Sequence, residues 1–375
     1  MNTRFGFVST YPPTQCGLAT FASALRGALV ERSDHGPVVR LVETGQPRPS
    51  MEVVAQIVMG EPESLRQGVS HLNDCDVAIV QHEYGVFGGP DGDEAVALLG
   101  ALRVPSIVVL HTVLDAPTAN QRTVLESVVD NADAVVVMTQ SAFDRLVAGY
   151  VVDPAKVEII AHGASDVSGS AMAPNFRSGR FTVLTWGLLG PGKGIELGID
   201  AMALLTDVNP PPRYLVAGQT HPKVLLHQGE QYRNSLIDQV NRLGLQTTVS
   251  LDGRYRDGAE LAELVRSADA VLLPYDSTDQ VTSGVLIEAV AAGKPVVATQ
   301  FPHARELLVD GAGLVVPHRD PEAIAAALRS LITNDGLLAS MSRAAAAQAP
   351  HLRWSAVAAQ YRELSSQLIA RRLAA

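Results

Sequence analysis

One rhythm constrains this chain more than any single residue. A short apolar run is followed by an amphipathic helical stretch, and the pair repeats through both halves with one break near the middle. In the first half the apolar runs fall at residues 4–9, 38–42, 77–81, 106–110, 134–138 and 156–160, and they are rich in valine and isoleucine. Runs apolar along their whole length belong to strands covered on both faces, as a parallel sheet requires. Helical spacing marks residues 20–31, 62–71, 121–131 and 141–148 between them. Strands alternating with helices fold as a doubly wound α/β layer.

Residues 163–180, reading GASDVSGSAMAPNFRSGR, interrupt the pattern and look like an interdomain linker. The rhythm then restarts. Strands are expected at 181–185, 213–216, 248–251, 270–273, 296–299 and 313–316, and helices at 195–205, 230–243, 259–267, 284–292, 303–309 and 321–333. The expected organisation is a first Rossmann-like domain over 1–165, a linker over 166–180 and a second Rossmann-like domain over 181–350. Residues 351–375 carry Trp354, Val357, Tyr361, Leu364 and Leu368 on one helical stripe. That helix either caps the second domain or crosses back to the first. Two α/β domains facing each other across a cleft place the carboxyl ends of both sheets at one ligand site.

Composition narrows the function. The chain has 375 residues, of which 47% are hydrophobic and 18% charged, which is ample for two buried cores. A formal net charge of -10 gives no global basic field for a nucleic-acid backbone. Cys16 and Cys75 are the only cysteines, too few for a disulfide framework or a four-cysteine zinc site. The opening MNTRFGFVST is too short in apolar length for a secretory leader and reads as the first strand. No window has the ~18 apolar residues of a spanning helix, so a cytoplasmic location is expected, with docking at the inner membrane face left open.

Several loops carry chemistry. STYPPTQCGLATF follows the first strand, and Gly17 opens the next helix, where backbone N–H groups favour an anion. A plain tight turn accounts for it equally well, and the dinucleotide glycine fingerprint is missing. His82 and Glu83 resemble the start of a zincin helix, but the second histidine is lacking, so no metal site is expected. Asp91-Gly92-Asp93 reads as an acidic turn between glycines. His111 ends the strand SIVVLH, where a side chain reaches the crevice and an imidazole bonds a hydroxyl or phosphate. His162 stands at another strand end, with structural and functional readings equal.

In the second half, GLLGPGKG (187–194) lies between strand and helix, and Lys193 falls near the helix amino end, suited to a diphosphate. It is not a Walker loop, because Gly194 replaces the magnesium-binding Ser or Thr. PYDSTDQVTSGVLIEAVAAGKPVVAT (274–299) has a polar loop, then Thr282, the helix-capping Ser283, and Gly284. Glu288 follows about one turn on among apolar neighbours, where a carboxylate wants a hydroxyl partner such as a ribose.

Taken in order, STYPPTQCGLATF, VEIIAHGASD, GLLGPGKG, VSLDGRYRDGAELAELVRSADAVLLP and LIEAVAAGKPVVAT resemble retaining glycosyltransferases of family 4, over nearly the whole chain. The resemblance implies the GT-B fold and transfer of a hexosyl group from a nucleotide diphosphate sugar to a hydroxyl acceptor. The donor is expected to be GDP-mannose or UDP-glucose, with mannose slightly ahead, and no metal or other cofactor is implied. The acceptor is a saccharide, a glycolipid or a small molecule. Lys193 then binds the diphosphate, and Glu288 holds the ribose. Ser283, Gly284 and Val285 offer N–H groups to phosphate, with Thr282 beside them. Residues 253–256 frame the base, and His111 sits by the transferred sugar. Gly17 lies on the donor side, and His82, Glu83 and Tyr84 on the acceptor side.

Two positions depart from the family pattern. Gln280 stands where the first glutamate of the Glu-x7-Glu element is usual, with Asp279 adjacent to substitute for it. Leu188 stands where an arginine is usual, and Arg254 is the candidate replacement cation. These departures leave room for a non-catalytic nucleotide-sugar-binding protein. A GT-B-like epimerase or phosphorylase is a further alternative, separable by its need for acceptor or inorganic phosphate.

Overall fold

The computed structural model describes residues 3–30, 36–45, 47, 50–166, 179–256 and 258–374, so most of the expected linker at 166–180 lies outside the described residues. The chain divides into two compact units, Met1–Gly163 with Trp354–Ala375, and Ala164–Arg353.

The first unit runs β1 (Phe5–Ser9), α1 (Gly17–Leu29), β2 (Val38–Val42), β3 (Val53–Val58), α2 (Pro62–Leu72), β4 (Val77–His82), α3 (Glu94–Ala101), β5 (Ser106–Leu110), α4 (Ala119–Asn131), β6 (Ala134–Val137), α5 (Gln140–Gly149) and β7 (Val157–Ile159). Its seven strands are parallel in the order β3-β2-β1-β4-β5-β6-β7. Order reverses direction beside β1 and β4, the topological switch point of such a sheet. The central strands β1, β2, β4, β5 and β6 are buried along their whole length, which is why their sequences do not alternate. β3, unlike them, alternates buried and half-buried residues, because it is an edge strand. It and α3 are absent from the sequence-based expectation.

The second unit runs β8 (Thr182–Trp186), α6 (Ile195–Ala203), β9 (Arg213–Ala217), α7 (Pro222–Gln228), α8 (Gln231–Arg242), β10 (Val249–Asp252), α9 (Gly258–Ser267), β11 (Ala270–Leu273), α10 (Gly284–Ala291), β12 (Val296–Thr299), α11 (Pro302–Leu307), β13 (Gly313–Val316), α12 (Pro321–Thr333) and α13 (Asp335–Leu352). Its six parallel strands are ordered β10-β9-β8-β11-β12-β13. β8 and β11 flank the switch point, so the loops after them carry the site.

The last helix, α14 (Trp354–Ala374), belongs to the first unit. Val357, Ala358, Tyr361, Leu364 and Leu368 join the core formed by Phe7, Phe21, Leu25 and Ile79. At the end of α1, Arg362 donates to the Ala28 carbonyl at 2.7 Å. Burying each large side chain of this stripe is worth about 1.5–3 kcal/mol. Gly163 is required where the chain passes Trp354, since a Cβ there would lie 2.2 Å from the indole. No helix among the described residues is long and apolar enough to cross a membrane.

Candidate active site

The second unit gathers its chemistry at the carboxyl ends of β8 and β11. After β8 the chain makes the loop 187–194 and enters α6 through Gly194, whose φ is +62°. A Cβ at Gly194 would lie 1.9 Å from the Pro274 carbonyl, so only glycine lets the two loops close up. The Asp276 N–H donates to the Gly192 carbonyl at 3.0 Å and ties them further. Gly187 lies beside Val285, with 3.6 Å between an added Cβ and the Val285 side chain. The Lys193 loop and the amino end of α10 are therefore neighbours.

Lys193 is half-buried, and its ammonium lies 4.5 Å from the centre of the Tyr275 ring. Among the described residues it pairs with no carboxylate, so its charge stays available to a ligand. It also contributes to the lowered pKa of His221, after burial and Lys223.

Ser283 caps α10, its hydroxyl accepting from the Leu286 N–H at 3.3 Å. Its own N–H donates to Nδ1 of the buried His303 at 2.8 Å, so that N–H is already engaged. The backbone N–H groups of Gly284 and Val285 make no hydrogen bond among the described residues. They are the open donors of this helix end, where the dipole also favours an anion. His303 has no short-range signal, being twenty residues away and visible only as part of FPHARELL.

Glu288 is half-buried on the next turn of α10 and accepts a hydrogen bond from the Trp186 side chain. Burial raises its pKa to about 6, with the Trp186 bond opposing. Above that value it is a desolvated carboxylate, well suited to accept from hydroxyls.

The remaining donor-side residues are placed less openly. The Gln280 amide turns into its own loop and donates to the Thr282 carbonyl. The Thr282 hydroxyl is buried without a partner among the described residues. Asp279 is exposed. Arg254 is bound to the carboxylate of Asp252, with Nη2 at 2.8 Å, and Arg256 shares that carboxylate. The two guanidinium partners hold the Asp252 pKa well below the carboxylate range. The cation expected to replace the missing arginine thus already has a partner, although its side chain is 77% exposed.

In the first unit, His111 follows β5, and its Nε2 bonds Oε1 of the buried Gln81 at 2.7 Å. Phe21 packs edge-on against both His111 and His162, and Trp354 closes against Phe21. Burial, with nearby imidazoles, pushes the His111 pKa down to about 3. Burial takes His162 to about 4. His82 is fully buried between the Tyr84 and Phe87 rings, its ring nitrogens without partners among the described residues, and burial lowers its pKa to about 4.

Glu83 is half-buried. It accepts from the Tyr84 N–H at 3.1 Å and from the Thr112 hydroxyl at 2.5 Å. The Tyr84 hydroxyl lies 3.5 Å from the Gln121 carbonyl, and burial raises its pKa. Gly17 is the first residue of α1, capped by Cys16, and a Cβ on it would meet nothing within 4 Å. At the acidic turn Asn120 donates to Asp91 at 2.7 Å, and just after it the backbone N–H groups of Gly60 and Gly88 donate to Glu94. Among the described residues no group of three or more histidine, cysteine or acidic side chains is arranged to hold a metal ion.

Comparison with known proteins bears on the family and the fold. Residues 171–348 match the family model described as "Glycosyl transferases group 1". A D-inositol 3-phosphate glycosyltransferase of Corynebacterium glutamicum is 30% identical over 295 residues, covering 72% of this chain and 68% of the relative. One from Kineococcus radiotolerans is 31% identical over 267 residues, covering 65% and 59%. Among solved structures, HepE of Anabaena in complex with UDP superposes with a TM-score of 0.76 at 20% identity, covering 97% of this chain and 100% of that one. Sucrose-phosphate synthase of Thermosynechococcus elongatus does so with 0.72 at 18%, covering 98% and 100%. At such identities the structures establish the fold, which is GT-B. The two parallel-sheet units and the relatives at 30% identity place this chain among the group 1 glycosyltransferases, to which it belongs.

Proposed function

We propose that this chain moves a hexosyl group from a nucleoside diphosphate sugar to a hydroxyl acceptor with retention of configuration, in the manner of family 4, and without a metal ion. The observation that carries this reading is the meeting of the Lys193 loop with the open Gly284 and Val285 N–H groups, one helical turn from Glu288. Negative charge grows on the departing diphosphate as the sugar bond breaks. A fixed ammonium and two preoriented N–H donors oppose it and need little reorganisation. The ionised Glu288 accepts from the ribose hydroxyls. The departing phosphate oxygen takes the proton of the attacking hydroxyl, which enters from the same face.

His111 is assigned to the transferred sugar, as an uncharged imidazole oriented by Gln81, and Glu83 and Tyr84 to the acceptor. Gln280 remains assigned to the donor sugar hydroxyls, for which its amide must leave the Thr282 carbonyl. UDP-glucose is the first donor to test, because HepE binds UDP and UDP-glucose, with GDP-mannose as its rival. The relatives' substrate, an inositol phosphate, makes a small polyol or saccharide the first acceptor class to try.

The experiment is donor consumption with each sugar nucleotide across an acceptor panel, by the wild type and Lys193→Ala. Transfer that collapses in the variant supports the reading. A variant that turns over like wild type removes it.

A further inference from the structure

The first unit holds a second polar feature, away from Glu83 and Tyr84. Ser9 on β1 pairs in register with Arg40 on β2, and Arg40 with Gln56 on β3. Paired residues of parallel neighbours point to the same face. One rung below, the same face is apolar, with Phe7 paired to Val38 and Ile79 in the core. Gln81, two residues past Ile79, continues the row toward His111. A polar row therefore crosses the carboxyl end of the sheet under the loop 10–16.

At its centre Arg40 is 2% exposed and meets no carboxylate among the described residues. Its Nη2 donates to the Thr14 hydroxyl at 2.8 Å, and its Nε has no partner among the described residues. Beside it the Ser9 hydroxyl is 0% exposed and also without a partner among the described residues. Burial lowers the Arg40 pKa, the direction expected of a cation lacking its counter-charge. Buried polar groups in native proteins are nearly always satisfied, and buried charges are paired. Two adjacent exceptions at the ligand end of the sheet call for an anion.

We propose that Arg40 and Ser9 form an oxyanion site that takes a phosphate group carried by a substrate, with the guanidinium as its cation and the hydroxyl as a donor. Three strand spacings, roughly 14 Å, separate the β2 and β5 backbones. The phosphate thus sits one sugar unit or more from His111, within reach of the long Arg40 side chain. The loop 10–16 roofs the site and must shift to admit the group. The proposal deepens the transfer reading and rests on it only for which substrate bears the phosphate. Either a phosphorylated acceptor or the donor diphosphate supplies the same chemistry.

The test is calorimetric titration of inorganic phosphate into the full chain at constant ionic strength, with and without saturating UDP, and separately GDP. It needs no turnover, so it stands or falls apart from the sugar-transfer reading. Wild type is expected to bind phosphate, Arg40→Met at least tenfold more weakly and Ser9→Ala two- to fivefold more weakly. Thr14→Val, which loosens only the roof, stays within twofold. Phosphate binding that Arg40→Met weakens and nucleotide leaves unchanged assigns the site to the acceptor, and binding that Arg40→Met weakens and nucleotide abolishes assigns it to the donor. Equal affinity in wild type and Arg40→Met overturns the proposal, as does a Thr14→Val loss as large as that of Arg40→Met. If Arg40→Met does not fold, Ser9→Ala decides, and an unchanged affinity there overturns the site.

Discussion

The two sheets share a parallel plan, yet the rims above their carboxyl ends are chemically opposite. The first unit presents imidazoles that burial keeps uncharged, His82, His111 and His162, among the rings of Phe21, Phe87 and Trp354. The second presents, among the described residues, an ammonium without a carboxylate partner, two open backbone donors and a carboxyl group with a raised pKa. An ammonium and open N–H donors of this kind are what the proposed transfer needs to oppose charge developing on a leaving diphosphate. The first suits neutral hydroxyls, with Arg40 as the marked exception. The loops after the strands, rather than the sheet, set this division.

The comparison breaks most visibly through the core of the first unit. Tyr361→Ala should cost about 3–5 kcal/mol of stability by opening a cavity under α14. Tyr361→Phe should be neutral or slightly stabilising, because the hydroxyl it removes is buried without a partner among the described residues. Thermal unfolding of both variants checks this, and equal losses would contradict it.

Next in size is Lys193→Ala, expected to lower kcat by about 10²–10³, the scale of losing one oriented donor at developing charge. Its melting temperature should not move, since among the described residues its ammonium has the Tyr275 ring contact and no carboxylate partner. A loss confined to KM would shift Lys193 from transition-state to ground-state binding.

Acid sharpens the contrast because the two rims respond with opposite signs. The three imidazoles bind protons less readily folded, at about 3–4, than unfolded, near ~6.5. The stability they contribute is complete above ~6.5 and fades as pH falls toward 4. Glu288 binds its proton more readily folded, at about 6, so its contribution is complete below ~4.5 and fades as pH rises through 6. Amide exchange resolved by unit, between pH 4 and 7, should show the first unit loosening first in acid.

The smallest effect separates binding from chemistry. Glu288→Gln should raise the donor KM about tenfold, equivalent to ~1.4 kcal/mol, with little change in kcat. Wild-type donor KM should rise similarly as pH falls below about 6 and Glu288 takes up its proton. A donor KM flat from pH 5 to 8 would contradict the role given to this carboxylate.

Much of this was legible in the sequence. The doubled rhythm gave both sheets, because strands buried on two faces have no polar positions to blur them. β3 escaped because an edge strand alternates, as Val53, Ala55 and Ile57 do against half-buried Val54, Gln56 and Val58. The stripe from Trp354 to Leu368 showed that the last helix packs, but periodicity does not say against what. Its place on the first unit depends on tertiary contact with α1. In the candidate site, the grouping of Lys193 with Gly284, Val285 and Glu288 was anticipated because they lie within two short loop-to-helix segments, which the fold brings side by side. The engaged Ser283 N–H was not, since its partner His303 belongs to another helix. Nor was the coupling of Arg254 to Asp252, because two residues of loop can turn either way.

The central claim is that the second unit grips a pyrophosphate between Lys193 and the amino end of α10. Calorimetric titration of UDP and GDP, with UMP and GMP as controls, tests it without an acceptor. The wild type should prefer a diphosphate to its monophosphate at least tenfold, and Lys193→Ala should abolish that preference while retaining monophosphate binding. Equal affinity for mono- and diphosphate in the wild type, or a preference that survives in Lys193→Ala, would contradict the account.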